Sequence, residues 1–195
     1  MGLDVDQYIK YGVILGGSNM TDDERKCLEV FVRKFMEYID DNYDHIHDEI
    51  DEECSEELEK LRKDYKTIGA NNIYEYWKKL NTCFRYDSFD NDVIRDFVEN
   101  MDDMEDTGYE IRMTYHGYDK EDTTSDGETN YIIISKNMKE IFSGSAGYSK
   151  EKIYRYDIDE LIRLQSEEDE KFGKFLESIE FPNVKGKLFA YTLID

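Results

Sequence analysis

Eleven carboxylates fall between Asp40 and Glu59 with no lysine or arginine among them: Asp40, Asp41, Asp44, Asp48, Glu49, Asp51, Glu52, Glu53, Glu56, Glu57 and Glu59. On a helix, residues three or four apart lie about 5–6 Å from one another. Asp44, Asp48, Glu52 and Glu56 would then form one row, with Asp41 near the same face. A continuous helix over these residues would be about 30 Å long. It would carry roughly one negative charge per 2.7 Å of axis, against about one per 1.7 Å of duplex DNA. A second acidic helix is predicted over Asp90–Met104, with Asp92, Asp96, Glu99, Asp102 and Asp103 outward and Val93, Ile94, Phe97, Val98 and Met101 inward. The chemistry of such rows is that of a polyanion, suited to a basic groove built for phosphates. The competing reading is a solvated face that keeps the chain soluble. Against it stands the repulsion of like charges at i,i+4, about 0.2–0.5 kcal/mol per pair, which solubility alone does not require.

Other constellations carry less. His45-Ile46-His47-Asp48-Glu49, with Cys54 near in sequence, is dense in metal-ligand types. Two histidines at i,i+2 point to different sides of a helix, however, and the His-Glu-x-x-His zinc spacing is absent. Asp122–Gly127 resembles the first half of a calcium loop, but the position that needs a bidentate glutamate is Ile133 and the flanks read as strands. His116 and Ser135 fall near each other on predicted strands without the Gly-x-Ser-x-Gly turn of a nucleophile. The run Gly144–Gly147 reads as a loop and lacks the lysine of a phosphate cradle. The expectation is a non-enzymatic protein with no cofactor and no metal. A divalent-metal enzyme built from scattered carboxylates is the distant alternative.

The charge is lopsided along the chain. The net charge is −22 over 195 residues. From Asn130 onward ten Lys/Arg face twelve Asp/Glu, a net of −2, so −20 resides in residues 1–129. A field of that sign repels nucleic acid and anionic membranes and attracts basic surfaces. The chain is not a disordered acidic tail, because it holds 16 Tyr and 10 Phe in periodic blocks. Three scattered cysteines without C-x-x-C spacing fit a reducing compartment. No leader pattern and no membrane-length apolar run is present. A soluble, cytoplasmic protein is expected.

The elements that must position the acids are legible from hydrophobic period. Gln7–Leu15 reads as a strand. Thr21–Glu24 is a capping box that opens a helix with Leu28, Phe31, Val32, Phe35 and Ile39 on one side. Asn72–Leu80 reads as a short helix with Tyr76 and Trp77, Tyr109–Tyr118 and Thr129–Ser135 as a hairpin, and Lys152–Tyr156 as a short strand. Asp157–Ile179 reads as a helix stopped by Pro182, and Lys187–Ile194 as a closing strand. This order predicts a single α+β domain over residues 1–195, with acidic amphipathic helices on a small, mainly antiparallel sheet. A subdivision into 1–107 and 108–195 is compatible with the pattern.

In composition and charge density the chain resembles acidic inhibitors of nucleic-acid enzymes, such as the DNA-mimic antirestriction proteins of phages and mobile elements. The likeness extends to no motif, so no residue role is carried over. It implies a basic nucleic-acid-binding partner, such as a restriction, CRISPR or other defence protein. The candidate partner-binding residues are Asp40, Asp41, Asp44, Asp48, Glu49, Glu52, Glu53, Glu56, Asp92, Asp96, Glu99, Asp102 and Asp103. An immunity or antitoxin protein that neutralises a basic toxin uses the same physics and is the alternative partner class. The Lys, Ile, Asn, Asp and Tyr bias associates with AT-rich genomes, which suits a phage. Because the excess charge opposes compaction, the melting temperature followed by circular dichroism should rise when NaCl is raised from about 10 to about 300 mM.

Overall fold

The computed structural model describes residues 4–47, 52–83, 92–99, 101, 107–115, 130–145 and 157–194. Strand β1 (Asp4–Leu15) leads into α1 (Asp22–Asp41), the short α2 (Tyr43–His47) and α3 (Glu52–Asp64). A 3₁₀ turn (Tyr65–Thr67) follows, then α4 (Ile73–Cys83), α5 (Asp92–Glu99), β2 (Glu110–Tyr115), β3 (Asn130–Ser145), α6 (Ile158–Ser178) and β4 (Lys187–Ile194). The four strands form one antiparallel sheet in the order β2-β3-β1-β4. The architecture is α+β. The boundary near residue 107 does not divide the sheet, since β1 lies between β3 and β4.

Alternation along the strands sets the core face. Tyr11, Val13 and Leu15 of β1 are buried with Ile132 and Ile134 of β3 and Ile111 of β2. They join the helix stripe Leu28, Phe31, Val32, Phe35 and Ile39 in one apolar cluster. Phe31 anchors it, edge-on to Trp77 of α4 at 6.0 Å and to Phe97 of α5 at 5.5 Å between ring centroids. Each such ring taken fully out of water is worth about 1.5–3 kcal/mol.

Local signals fix the ends of α1 and α6. Thr21 Oγ1 accepts from the Glu24 amide at 3.3 Å, and the Glu24 carboxylate accepts from the Thr21 amide at 2.7 Å. Glu24 is buried and also takes Lys187 Nζ at 2.9 Å, which ties the start of α1 to the start of β4. At the far end of α6 the stop is not Pro182 itself. Glu180 takes a left-handed φ of 60°. Its amide reaches the Glu177 carbonyl at 3.0 Å, and the Phe181 amide reaches the Leu176 carbonyl at 2.7 Å. This paired bonding satisfies the last carbonyls of the helix, two residues before the proline.

The sheet departs from the sequence reading in the length of two strands. Strand β1 begins at Asp4 rather than Gln7. The run beginning at Thr129 does not end at Ser135: β3 continues to Ser145, and Gly144 and Ser145, read as a loop, pair with Val5 and Asp4. Pairing with the twelve-residue β1 overrides the weak strand propensity of Lys136–Ser145. Register shifts beside Tyr8 and Lys10 absorb the extra residues. Opposite Ser135 of β3, β1 carries Gly12. A Cβ there would lie 2.0 Å from the Ile134 carbonyl oxygen and 2.7 Å from Ser135 Cα. Both obstacles are backbone, so they cannot rotate away. Gly12→Ala should lower unfolding free energy by about 3 kcal/mol or more, read by urea denaturation.

Candidate acidic interface

The acidic run does not form one rod. Helix α1 ends at Asn42 (φ −114°, ψ 17°), whose backbone amide and side-chain amide both donate to the Tyr38 carbonyl, at 3.1 and 2.9 Å. Helix α2 follows at once, and the last turn of α3 then comes back to the last turn of α1, with the 3₁₀ turn continuing alongside α1. The cross-links fix the antiparallel sense: Tyr43 with Glu59 at 3.4 Å, Asp40 with Arg62 at 2.6 Å, and Arg33 with the Ile68 carbonyl at 3.1 Å. The physical reason is the thin apolar seam. Ile46, Leu58 and Leu61 are all buried in the common core, which a straight helix projecting from the end of α1 would not allow. The result is a helical hairpin in place of a rod, closed where Arg62 meets Asp40.

Asp40 is thereby removed from the candidate surface. It is half-buried and bonds Arg62 Nε at 2.6 Å and the Tyr65 hydroxyl at 3.1 Å. Arg62 also stacks its guanidinium 3.5 Å from the centre of the Tyr43 ring. Burial works against the Arg62 charge, yet the Asp40 carboxylate outweighs it and holds the guanidinium more firmly protonated than usual. Burial, then the Asp40 bond, raises the Tyr65 hydroxyl. Asp40 is a clasp between the arms.

Asp41, Asp44 and Glu56 are exposed. Glu37, not among the candidates above, joins them one turn before Asp41 on the outer side of α1, a placement its i,i+4 spacing already encoded. Among the described residues these four meet no cation. Glu52 and Glu53 open α3. Asp48, Glu49, Asp102 and Asp103 lie outside the described residues. Helix α5 stands beside α1, held by Phe97 against Phe31, Phe35 and Tyr38 with ring centroids 5.0–5.6 Å apart. It carries Asp92, Asp96 and Glu99; Asp96 is half-exposed, Glu99 is exposed, and each of these two engages a neighbour.

The other chemistry-bearing residues lead elsewhere. His45 and His47 both fall in α2, while residues 116–129, with His116 and the calcium-like loop, and residues 152–156, read as a short strand, lie outside the described residues. Among the described residues no group of three or more His, Cys, Asp or Glu is placed to hold a metal ion, and no helix is long and apolar enough to cross a membrane. Cys27 is buried, and burial pushes its thiol up to about 12, far from a reactive thiolate.

Three carboxylates of α6 reach the sheet, Glu160 through Lys139 of β3 at 3.7 Å. Asp169 accepts from the Tyr11 hydroxyl. Glu168, itself buried, accepts from Tyr109 at 2.9 Å and Lys171 at 2.6 Å, with Lys136 at 3.7 Å. Burial and these carboxylates push both tyrosine hydroxyls well above their ordinary range, so both are locked as donors. A tyrosine acting as base or nucleophile needs the opposite shift. The network pins α6 to the sheet.

The chain matches no family model, no curated protein and no solved structure.

Burial alone would raise the Glu168 carboxyl, but its bonds from Lys171 and Tyr109 and the nearby Lys136 bring it below the ordinary 4.5. Its stabilisation is therefore full above pH 4.5 and is lost as pH falls through the lower folded-state value. Glu168→Gln should lose about 2–3 kcal/mol at neutral pH. The gap between wild type and variant in denaturant titrations should stay constant down to pH 4.5 and close below it.

Proposed function

We propose that this chain is a non-enzymatic binding protein whose acidic helical hairpin occupies the basic, phosphate-binding groove of a nucleic-acid-binding protein. The partner class is a defence or nuclease component whose normal ligand is DNA or RNA. One observation carries the reading: among the described residues, Glu37, Asp41, Asp44 and Glu56 are exposed and meet no cation, on the same hairpin in which Asp40 is clasped by Arg62. In this region Arg62 goes to the packing contact with Asp40, and Lys60 pairs on the outside with Glu57 at 3.3 Å. Among the described residues Glu37 and Asp41 gain no cation to offset the repulsion between them. A partner with Lys and Arg arranged for phosphates would relieve that repulsion and release its own condensed anions, so binding weakens with salt.

The supporting physics is shape as well as charge. The α1–α3 arms are rigidified by the Tyr43–Arg62–Asp40–Tyr65 cluster. The acids therefore sit on a preorganised surface, which lowers the ordering loss on association. Tyr74 packs partly buried against the core, and Tyr76 bonds the Leu61 carbonyl at 2.8 Å, so these tyrosines brace α4 and α3 rather than offering a free aromatic surface.

The test is affinity capture on the immobilised full chain from lysates, eluted with a salt gradient and identified by mass spectrometry. The expected result is retention of a basic nucleic-acid-binding protein that leaves steeply as salt rises and is displaced by duplex DNA. The triple variant Asp41→Lys, Asp44→Lys, Glu56→Lys should abolish retention while leaving the circular dichroism spectrum unchanged. Retention that persists in that variant, or a partner that resists salt and ignores DNA, overturns the proposal.

A further inference from the structure

The order β2-β3-β1-β4 leaves two sheet edges, and they differ. The β2 edge is six residues long and carries Glu110 and Arg112, charges that discourage strand addition. The β4 edge is eight residues long, with sequence Lys-Leu-Phe-Ala-Tyr-Thr-Leu-Ile. It holds one charge, at its first residue, and no Pro, Gly, Asp or Glu. Its pairing with β1 runs from Val5↔Ile194 to Gly12↔Lys187 without a register shift, whereas the β1–β3 ladder is interrupted twice. Among the described residues no strand pairs with the outer side of β4. Ala190, near its middle, is exposed, and Leu188, Phe189 and Tyr191 are only half-buried. Beyond Lys187 at its start, and among the described residues, this edge carries no charge, proline or bulge of the kind that normally protects one.

We infer that β4 is a self-association edge, pairing antiparallel with β4 of a second copy of this chain across a two-fold axis to make a continuous eight-stranded sheet. An antiparallel strand is self-complementary about a two-fold, so one surface serves both copies. The charge distribution also favours a second copy meeting here. Residues from Asn130 onward, which supply β3, α6 and β4, carry a net of only −2, against −20 in residues 1–129. Joining through β4 brings together the least charged parts of two strongly anionic molecules. The salt response follows: self-association strengthens as salt screens the residual repulsion, opposite in sign to the groove binding proposed above, so the two proposals stand or fall separately.

Sedimentation equilibrium of the full chain tests this, across protein concentration and at about 20 and about 300 mM NaCl. The expected species at high salt has twice the 23.2 kDa chain mass, with a dissociation constant at least about tenfold lower than at low salt. Ala190→Lys sets two like charges almost opposite each other at the centre of the paired strands and should weaken the dimer by at least about tenfold with an unchanged circular dichroism spectrum. Amide hydrogen exchange in wild type supplies a readout that does not need the variant to fold: exchange at Leu188–Tyr191 should slow as protein concentration rises. A wild type that stays monomeric at both salts, a folded Ala190→Lys variant that dimerises as well as wild type, or β4 exchange independent of concentration overturns the inference.

Discussion

The chain has 25 Lys and Arg to set against 47 Asp and Glu, and where those few cations go governs the rest of the structure. A carboxylate taken out of water without a partner is strongly destabilising. The inward-facing acids are each met. Arg62 joins Asp40 between the helical arms, Lys187 joins Glu24 between α1 and β4, and Lys171 and Lys136 join Glu168 between α6 and the sheet. Lys10, almost wholly buried, reaches Glu110 at 2.5 Å while its amine lies 4.3 Å from the centre of the Tyr191 ring. That single lysine spans from β4 to β2 across the outer side of the sheet. Packing contacts thus take part of the cation supply inward, and other lysines and arginines pair with exposed acids such as Asp23, Glu57 and Glu170. Among the described residues Glu37, Asp41, Asp44 and Glu56 are left without one.

The sheet supplies the rigid frame. Strand β1 lies between β3 and β4, so residues from the acidic half form the centre of the less charged half. Gly12 permits the close approach of β1 and β3, and Tyr11 beside it sets its ring edge-on to Phe172 of α6 at 5.6 Å. Helices α1 and α6 then cover one side, and Lys34 of α1 meets Glu180 just past α6 at 2.8 Å. Helices α4 and α5 pack on the apolar stripe of α1 through Trp77 and Phe97, α5 also meets β2, and α3 packs chiefly on α4. The acidic hairpin is consequently held on a scaffold whose own charge is nearly balanced.

Much of this was legible in the residues. The capping box at Thr21, the apolar stripe of α1, the inward faces at Tyr76 and Trp77 and at Val93 and Phe97, and the closing strand all appear where period and capping place them. These signals are local: a helix period and a cap are properties of residues within a few positions of each other. The extension of β3 was not legible, because Lys136–Ser145 has no strand signal of its own and is held by β1, more than a hundred residues earlier in the chain. The end of α6 falls where the period placed it, at Ile179, but the device that stops it was not legible: a left-handed turn at Glu180, a residue other than glycine.

By itself the sequence determined the α+β class, the identities of most elements and the concentration of charge in residues 1–129, since composition and short-range spacing suffice for each. Only the tertiary structure decided what the acidic run becomes. Spacing alone makes Asp40, Asp41 and Asp44 equivalent, but the fold-back of α3 on α1 turns Asp40 into an internal clasp and leaves its neighbours in solvent. The physical reason is that Ile46, Leu58 and Leu61 must share one core with α1, and the partners that this burial brings together are far apart in the chain.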